Sequence, residues 1–459
     1  MIFTQFVDDA LGCASYLVGD PRTGQAVVVD PAFAIEQYLD EAERRDVRIV
    51  RVVETHTHAD HLAGHGRFAL EHGVPVSIHP AANAGFPHDP LEDGDEIALG
   101  DIVLRCIHTP GHRPEHCCLA VSDLTRGPEP WIVLTGDSLF VGDAARPDLA
   151  VEAREGAEGL FYSLRRLVEL GDGVEVFPGH VAGSLCGKAM SSKASTTIGF
   201  ERRFNPALAH DDVALFVAEA TSGSTPRPPN MGRIVELNRG PFVAAQPEPA
   251  ELSSPPDGAQ VLDIRTVEAF AAGHHAGALS VPVSGTGFGT KAGFVLDGGP
   301  VVVAVSDADE AAAAIRGLRS VGILDVAGYL LGGGPETLEL VSVEQLDELL
   351  ERGAELIDVR EKDERDTGYI AGSRNIPYRL LALGAAELPR DRPIVTICAS
   401  GYRSSVAASM LRVAGFEHVG AVAVGVPTWE ARGHPLDYGP ADGGAWTDGA
   451  AVATEPHPH

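Results

Sequence analysis

The chain has 459 residues, of which 44% are hydrophobic, enough apolar material for about two to four cored domains. It carries 65 acidic residues against 35 Lys and Arg, a net charge of -30. That balance excludes nucleic acid or an anionic membrane as a general partner, because phosphate binding needs a basic face, and any anionic substrate must meet locally placed Arg or Lys.

The first twenty residues lack a cationic stretch followed by an apolar core, and no window approaches 18 unbroken apolar residues. A cytoplasmic protein with no membrane contact is therefore expected. Six cysteines, Cys13, Cys106, Cys117, Cys118, Cys186 and Cys398, are too sparse for a disulfide scaffold and include no CxxC pair. Cys106, Cys117 and Cys118 sit in apolar, strand-like runs and read as small core residues.

Residues 13–18 and 26–29 read as an opening hairpin around Asp20-Pro21-Arg22-Thr23-Gly24. Residues 35–45 read as a helix. The apolar run 47–53 then leads into Thr55-His56-Thr57-His58-Ala59-Asp60-His61. His56 and His58, two apart, can point into one cavity, while Asp60 and His61 are expected to start the next helix. Three later strand-like runs also end on ligand-type residues. Residues 102–107 precede Thr109-Pro110-Gly111-His112, and residues 131–134 precede Thr135-Gly136-Asp137. A helix over 156–170 leads to residues 174–177 and Pro178-Gly179-His180. A fold that gathers strand ends at one sheet edge would assemble a metal centre from them.

The string His-x-His-x-Asp-His, followed by His112, Asp137 and His180, resembles the metallo-β-lactamase fold, an αββα sandwich. Three stretches resemble its persulfide dioxygenase branch: Gly136-Asp137-Ser138-Leu139-Phe140-Val141-Gly142-Asp143, then Arg146-Pro147-Asp148-Leu149, and the run from Ala182 through Cys186 to Glu201. The related glyoxalase II would carry a separate helical substrate domain here. The resemblance implies one Fe(II) per chain held by His56, His112 and Asp137, with His58, Asp60, His61 and His180 around it orienting ligands or holding substrate and water. The same residues also suit two Zn²⁺ ions bridged by Asp137 and activating hydroxide for thioester hydrolysis. Arg146 matches an arginine that contacts the thiol substrate, and Cys186 is assigned to the same substrate region. Cys13 and Cys186 both match positions where fused enzymes of this kind carry cysteine.

Residues 1–240 thus form the first expected domain, and 241–257, rich in Pro, Ala and Glu, a linker. Beyond it the chain repeats itself. Leu262-Asp263-Ile264-Arg265 matches Ile357-Asp358-Val359-Arg360, and Pro300-Val301-Val302-Val303 matches Pro393-Ile394-Val395-Thr396. Both copies, 258–337 and 338–440, resemble rhodanese α/β domains.

The second copy ends a strand on Cys398-Ala399-Ser400-Gly401-Tyr402-Arg403 and continues into a helix from about Ser405 to Ala414. A thiol in a tight loop at a helix N-terminus, beside Arg403, is favoured as the thiolate and suited to carry a sulfane sulfur. In the first copy Val305 replaces the cysteine and Glu310 the arginine, so that copy is expected to be structural. Its residues 285–291, Gly-Thr-Gly-Phe-Gly-Thr-Lys, lack the ending of a phosphate loop and read as a mobile loop. Residues 441–459 read as a disordered tail whose His457-Pro458-His459 would bind metal only adventitiously.

Together the resemblances imply oxidation of a low-molecular-weight thiol persulfide by O₂ to sulfite, with sulfur transfer converting sulfite to thiosulfate. The alternatives are a dizinc thioester hydrolase with an appended sulfurtransferase, and a non-catalytic sulfur relay or sensor. A homo-oligomer is compatible with each.

Overall fold

A computed structural model describes residues 1–8, 10–147, 152–181, 191, 193–222, 229–284 and 287–439. It divides into one compact unit of Met1–Gln246 with Arg319–Gly322, and a second from Pro247 to Leu318 and from Ile323 onward.

The first unit is built on two six-stranded sheets. One runs in the order Ile2–Asp8, Cys13–Asp20, Gln25–Val29, Arg48–Val53, Val76–Ile78, Asp89–Pro90. The other runs Thr196–Thr197, Glu175–Pro178, Pro130–Gly136, Cys117–Asp123, Ile102–His108, Glu96–Ala98. Alternation along the strands explains why they stack. Val27 and Val29 face Leu104, Leu119 and Leu134 in the space between the sheets. Val28, pointing the other way, packs with Tyr38 and Phe68 from the helices Glu36–Arg44 and His65–His72. On the second sheet Cys118 and Val133 meet Leu160 and Leu164 of the helix Ala153–Val168. Strands buried on both faces read as continuous apolar runs, and their layering gives the expected αββα order.

Three local expectations change. The helix after the histidine loop starts at His65, and Asp60 and His61 lie in irregular backbone before it. Gly64 sets that start, since a Cβ there would lie 2.3 Å from the Ala32 carbonyl oxygen, and its N–H donates to the Pro31 carbonyl. The later helix spans Ala153–Val168 and stops ahead of Gly171-Asp172-Gly173. Residues 288–291, the latter part of the expected mobile loop 285–291, belong to the helix Phe288–Val295; Gly285 and Thr286 lie outside the described residues, as do the tail 441–459 and Cys186.

The second unit holds two parallel sheets of matching order. One runs Leu279–Ser280, Gln260–Asp263, Val301–Val305, Val326–Leu331. The other runs Arg374–Asn375, Glu355–Asp358, Ile394–Cys398, Val419–Gly425, and adds Glu339–Val341 at its edge. The repeated Asp-x-Arg has a structural cause. Arg265 donates to Asp263 at 2.9 and 2.5 Å and to the Gly273 carbonyl at 2.7 Å, while Arg360 donates to Asp358 at 2.9 and 2.6 Å and to the Gly368 carbonyl at 2.8 Å. Each buried pair pins the turn that follows its strand. One apolar core runs through both sheets, from Leu262 and Val303 to Ile357, Val406 and Leu411. Ser280 N–H donates to Ser409 Oγ at 2.9 Å, and Ser280 Oγ meets Ser405 Oγ at 2.9 Å. Among the described residues no helix is long and apolar enough to cross a membrane.

Candidate active sites

Four strand ends supply the first site: Arg48–Val53 runs into the histidine loop, Ile102–His108 leads to His112, Pro130–Gly136 to Asp137, and Glu175–Pro178 to His180. His56 Nδ1 lies 2.9 Å from Thr55 Oγ1, and that hydroxyl donates its one proton to Asp30 Oδ2 at 2.8 Å. Thr55 therefore accepts from His56, which places the ring proton on Nδ1 and leaves the Nε2 lone pair for the site. His112 Nδ1 donates to the Arg146 carbonyl at 3.1 Å, so its Nε2 is free in the same way.

Asp137 Oδ2 lies 4.0 Å from His56 Nε2 and 3.6 Å from His112 Nε2, and among the described residues this buried oxygen has no hydrogen-bond partner. Burial and the charges of neighbouring histidines hold His56 well below its ordinary pKa, and burial lowers His112. Burial opposes ionisation of Asp137, but His180 and His112 outweigh it and keep the carboxyl well below the usual range. Three buried electron-pair donors facing one point, with no proton among them, repel one another unless a cation joins them. The set fits a divalent metal.

The remaining predicted residues fall into two other groups. His58 turns away, its Nε2 3.3 Å from Asp30 Oδ1 and 3.1 Å from Glu54 Oε2. Against burial and the His61 charge, those carboxylates raise it to about 9. Glu54 also accepts from His65 Nδ1 at 3.0 Å. Asp60, His61 and His180 gather around Cys13, whose sulfur lies 3.3 Å from Asp60 Oδ2, 3.4 Å from His61 Nδ1 and 3.3 Å from His180 Nε2. His180 Nδ1 reaches Asp137 Oδ1 at 2.7 Å and so links this group to the first.

The sequence reading missed Asp30, Glu54, Thr55 and His116. His116 accepts from the Asp137 N–H at 2.9 Å, and burial pushes it down to about 3. Its place four residues after His112 was a usable signal, as was Asp30 breaking an apolar strand end. Arg146 is buried and contributes its carbonyl to His112. Gly136 has φ of 47°, and a Cβ there would lie 2.7 Å from both His116 Nε2 and Thr55 Oγ1. Gly136→Ala is expected to lower stability by about 1–3 kcal/mol and displace Asp137, seen as a lower Tm with a reduced metal content. An unchanged Tm and metal content would show that the loop absorbs the methyl.

The second site lies in the other unit. Cys398 closes the strand Ile394–Cys398 and is fully buried. The N–H groups of Ser400 and Gly401 point at its sulfur at 3.5 and 3.2 Å. Gly401, with φ of 88°, turns the chain into the helix Tyr402–Val413, where a Cβ would lie 2.3 Å from the Ala423 carbonyl oxygen. These amides at a helix N-terminus offer hydrogen bonds to the sulfur. Arg403 is aimed by Glu364, which accepts from its two terminal nitrogens at 2.8 and 2.7 Å. At the matching place in the first sheet Val305 is buried and Glu310 accepts from the Ser306 N–H, so there is no thiol to activate.

Comparison with known proteins follows this division. Residues 8–180 match the metallo-beta-lactamase superfamily and residues 342–432 the rhodanese-like domain. The solved metallo-beta-lactamase of Staphylococcus aureus subsp. aureus COL is 28% identical with a TM-score of 0.67, covering 72% of this chain and 99% of that one. The mitochondrial persulfide dioxygenase ETHE1 of Bos taurus is 28% identical over 198 residues, 42% of this chain and 70% of that protein. The hydroxyacylglutathione hydrolase of a Polaromonas species is 32% identical over 171 residues, 36% and 61% of the two chains.

Proposed function

This chain belongs to the metallo-beta-lactamase superfamily and carries a C-terminal rhodanese-like domain, and from that premise we propose that it is an Fe(II)-dependent persulfide dioxygenase coupled to a sulfurtransferase. Metal dependence follows from the superfamily, and the likeness to a persulfide dioxygenase joined to a rhodanese-like domain supports a role in sulfur metabolism.

The observation that carries the reading is the donor set. Asp137 Oδ2 faces the Nε2 atoms of His56 and His112, while His58 is engaged by Asp30 and Glu54. Two imidazoles and one carboxylate on a single face, with positions left open, are the ligands of non-haem Fe(II) oxygenases rather than of a closed zinc site. When bound, Fe(II) supplies the electron exchange by which O₂ oxidises the terminal sulfur, and one O₂ with one water converts the persulfide to sulfite and the free thiol. The protein's part is to hold the ligands still. Thr55 and the Arg146 carbonyl fix the tautomers of His56 and His112, and His180 orients Asp137. Arg146 and Cys186 belong on the substrate side in this reading. Cys398 then accepts sulfane sulfur and passes it to sulfite, giving thiosulfate. The partners are a low-molecular-weight thiol persulfide, O₂ and sulfite.

The cluster of Cys13, Asp60, His61 and His180 beside Asp137, with the likeness to a hydroxyacylglutathione hydrolase, favours a second reading, a dizinc thioester hydrolase. Protein purified under reducing, iron-replete conditions is expected to hold about one iron per chain and to consume O₂ with a thiol persulfide. Two zinc ions, no O₂ uptake and fast hydrolysis of lactoylglutathione would establish the hydrolase instead.

A further inference from the structure

The helix Met231–Arg239 has no part in the sites described above, yet its buried Asn238 reaches the histidine loop. The side-chain Nδ2 donates to the His58 carbonyl at 3.0 Å and to the His61 carbonyl at 2.8 Å, while Oδ1 accepts from the Ala63 N–H at 2.9 Å. Only one orientation of the amide satisfies all three contacts, because its nitrogen alone has two protons to give and its oxygen alone can accept. One side chain thus spans the backbone from His58 to Ala63, between the strand Arg48–Val53 and the helix His65–His72.

The amide stands on a fixed support. Just past it the Arg239 carbonyl accepts from the Gly85 N–H at 2.6 Å. Phe242 stacks on Phe86 with ring centroids 4.8 Å apart. A Cβ on Gly66 would lie 2.7 Å from the Val243 nitrogen, so the chain that follows the helix is seated closely against the turn beginning at His65.

The bend of the loop controls Asp60. Its Oδ2 lies 2.7 Å from His180 Nε2 and its Oδ1 3.2 Å from His61 Nδ1, and His180 Nδ1 reaches Asp137 Oδ1 at 2.7 Å. Asp137 Oδ2 in turn faces the Nε2 atoms of His56 and His112. Contacts therefore run without a gap from Asn238 through the loop to the carboxylate of the metal set.

We propose that Asn238 is a positioning residue of the metal centre. By drawing the His58 and His61 carbonyls to one point, it sets the bend that presents Asp60 to His180 and so fixes the Asp137 carboxylate against His56 and His112. The inference rests on the reading of His56, His112 and Asp137 as the ligands of a divalent ion. Without the amide, two carbonyls and one N–H in a buried loop lose this partner at once, and the loop shifts to recover hydrogen bonds. Asn238 acts on the ion through geometry, without touching it.

The test uses the full-length chain loaded with Co(II), whose visible absorption reports ligand geometry, and an excess of chelator to read the rate of metal loss. Asn238→Ala is expected to lose Co(II) about tenfold faster than wild type, with a shifted absorption. In the metal-free protein the same variant should take up deuterium faster over residues 58–63, a readout independent of the ion. Asn230→Ala is the control: Asn230 begins the same helix and donates to the Val321 carbonyl at 2.9 Å, so its loss should lower Tm while metal loss stays within about twofold of wild type. Should Asn238→Ala fail to fold, Asn238→Asp carries the same measurements, since it keeps the size and the Ala63 contact but turns an oxygen on the two carbonyls. Wild-type metal loss and absorption in the Asn238 variant overturn the inference, and so does equal acceleration in Asn230→Ala, which would make the helix a general support. A wild-type chain that takes up no divalent ion overturns the metal-centre reading and this inference with it.

Discussion

Asp137→Ala is expected to empty the metal site and abolish persulfide-dependent O₂ uptake. Among the described residues Asp137 is the one carboxylate grouped with His56 and His112, and its other oxygen holds His180. Removing it leaves a two-histidine site, which binds a divalent ion poorly, and takes from His180 Nδ1 its Asp137 partner while Nε2 keeps Asp60 Oδ2 at 2.7 Å. Loss of a mere outer partner of a ligand costs about 10- to 100-fold in affinity or activity, so loss of the ligand should exceed that range. The checks are metal analysis and an oxygen electrode on the same preparation. Retention of a full metal complement would show that the ion sits among Cys13, Asp60, His61 and His180, and the iron reading would fall.

Cys398→Ser should have an equally large but different effect: O₂ uptake continues while thiosulfate formation drops by on the order of 1000-fold or more, as for loss of a covalent nucleophile. A serine hydroxyl keeps the shape of the loop and the Ser400 and Gly401 amides, yet it cannot carry a sulfane sulfur. Sulfite should accumulate in place of thiosulfate when both are followed against excess persulfide. Loss of O₂ uptake in this variant would mean that oxidation passes through Cys398. Persistent thiosulfate would name another cysteine as the carrier.

Much of this was legible because the informative residues are close in sequence. The histidine string, the Cys398 loop and the repeated Asp-x-Arg each lie within a few positions, and local spacing carried them. The αββα layering came from the family resemblance that the histidine string, His112, Asp137 and His180 carry. Partnerships across the fold were not. Nothing in residues 55–61 says that His58 will meet Asp30 and Glu54 while His56 keeps its Nε2 free, because Asp30 arrives from another strand. The strand Ile2–Asp8 was missed because its residues are mostly half-buried along a sheet edge, where the apolar alternation fades. The helix Phe288–Val295 was missed because a glycine-rich run reads as loop until packing of Phe294 against Tyr378 and of Lys291 against Tyr402 orders its latter half.

The core shared by the two parallel sheets has a consequence for inheritance. A lineage could not discard the first of these sheets by deleting its coding segment and leave the second intact. Such a deletion would uncover the shared core in which Val406 and Leu411 are buried and remove the Ser280 contacts to Ser405 and Ser409. Retention of a sheet that carries Val305 where the other carries Cys398 is thus accounted for by architecture, with no chemistry of its own required.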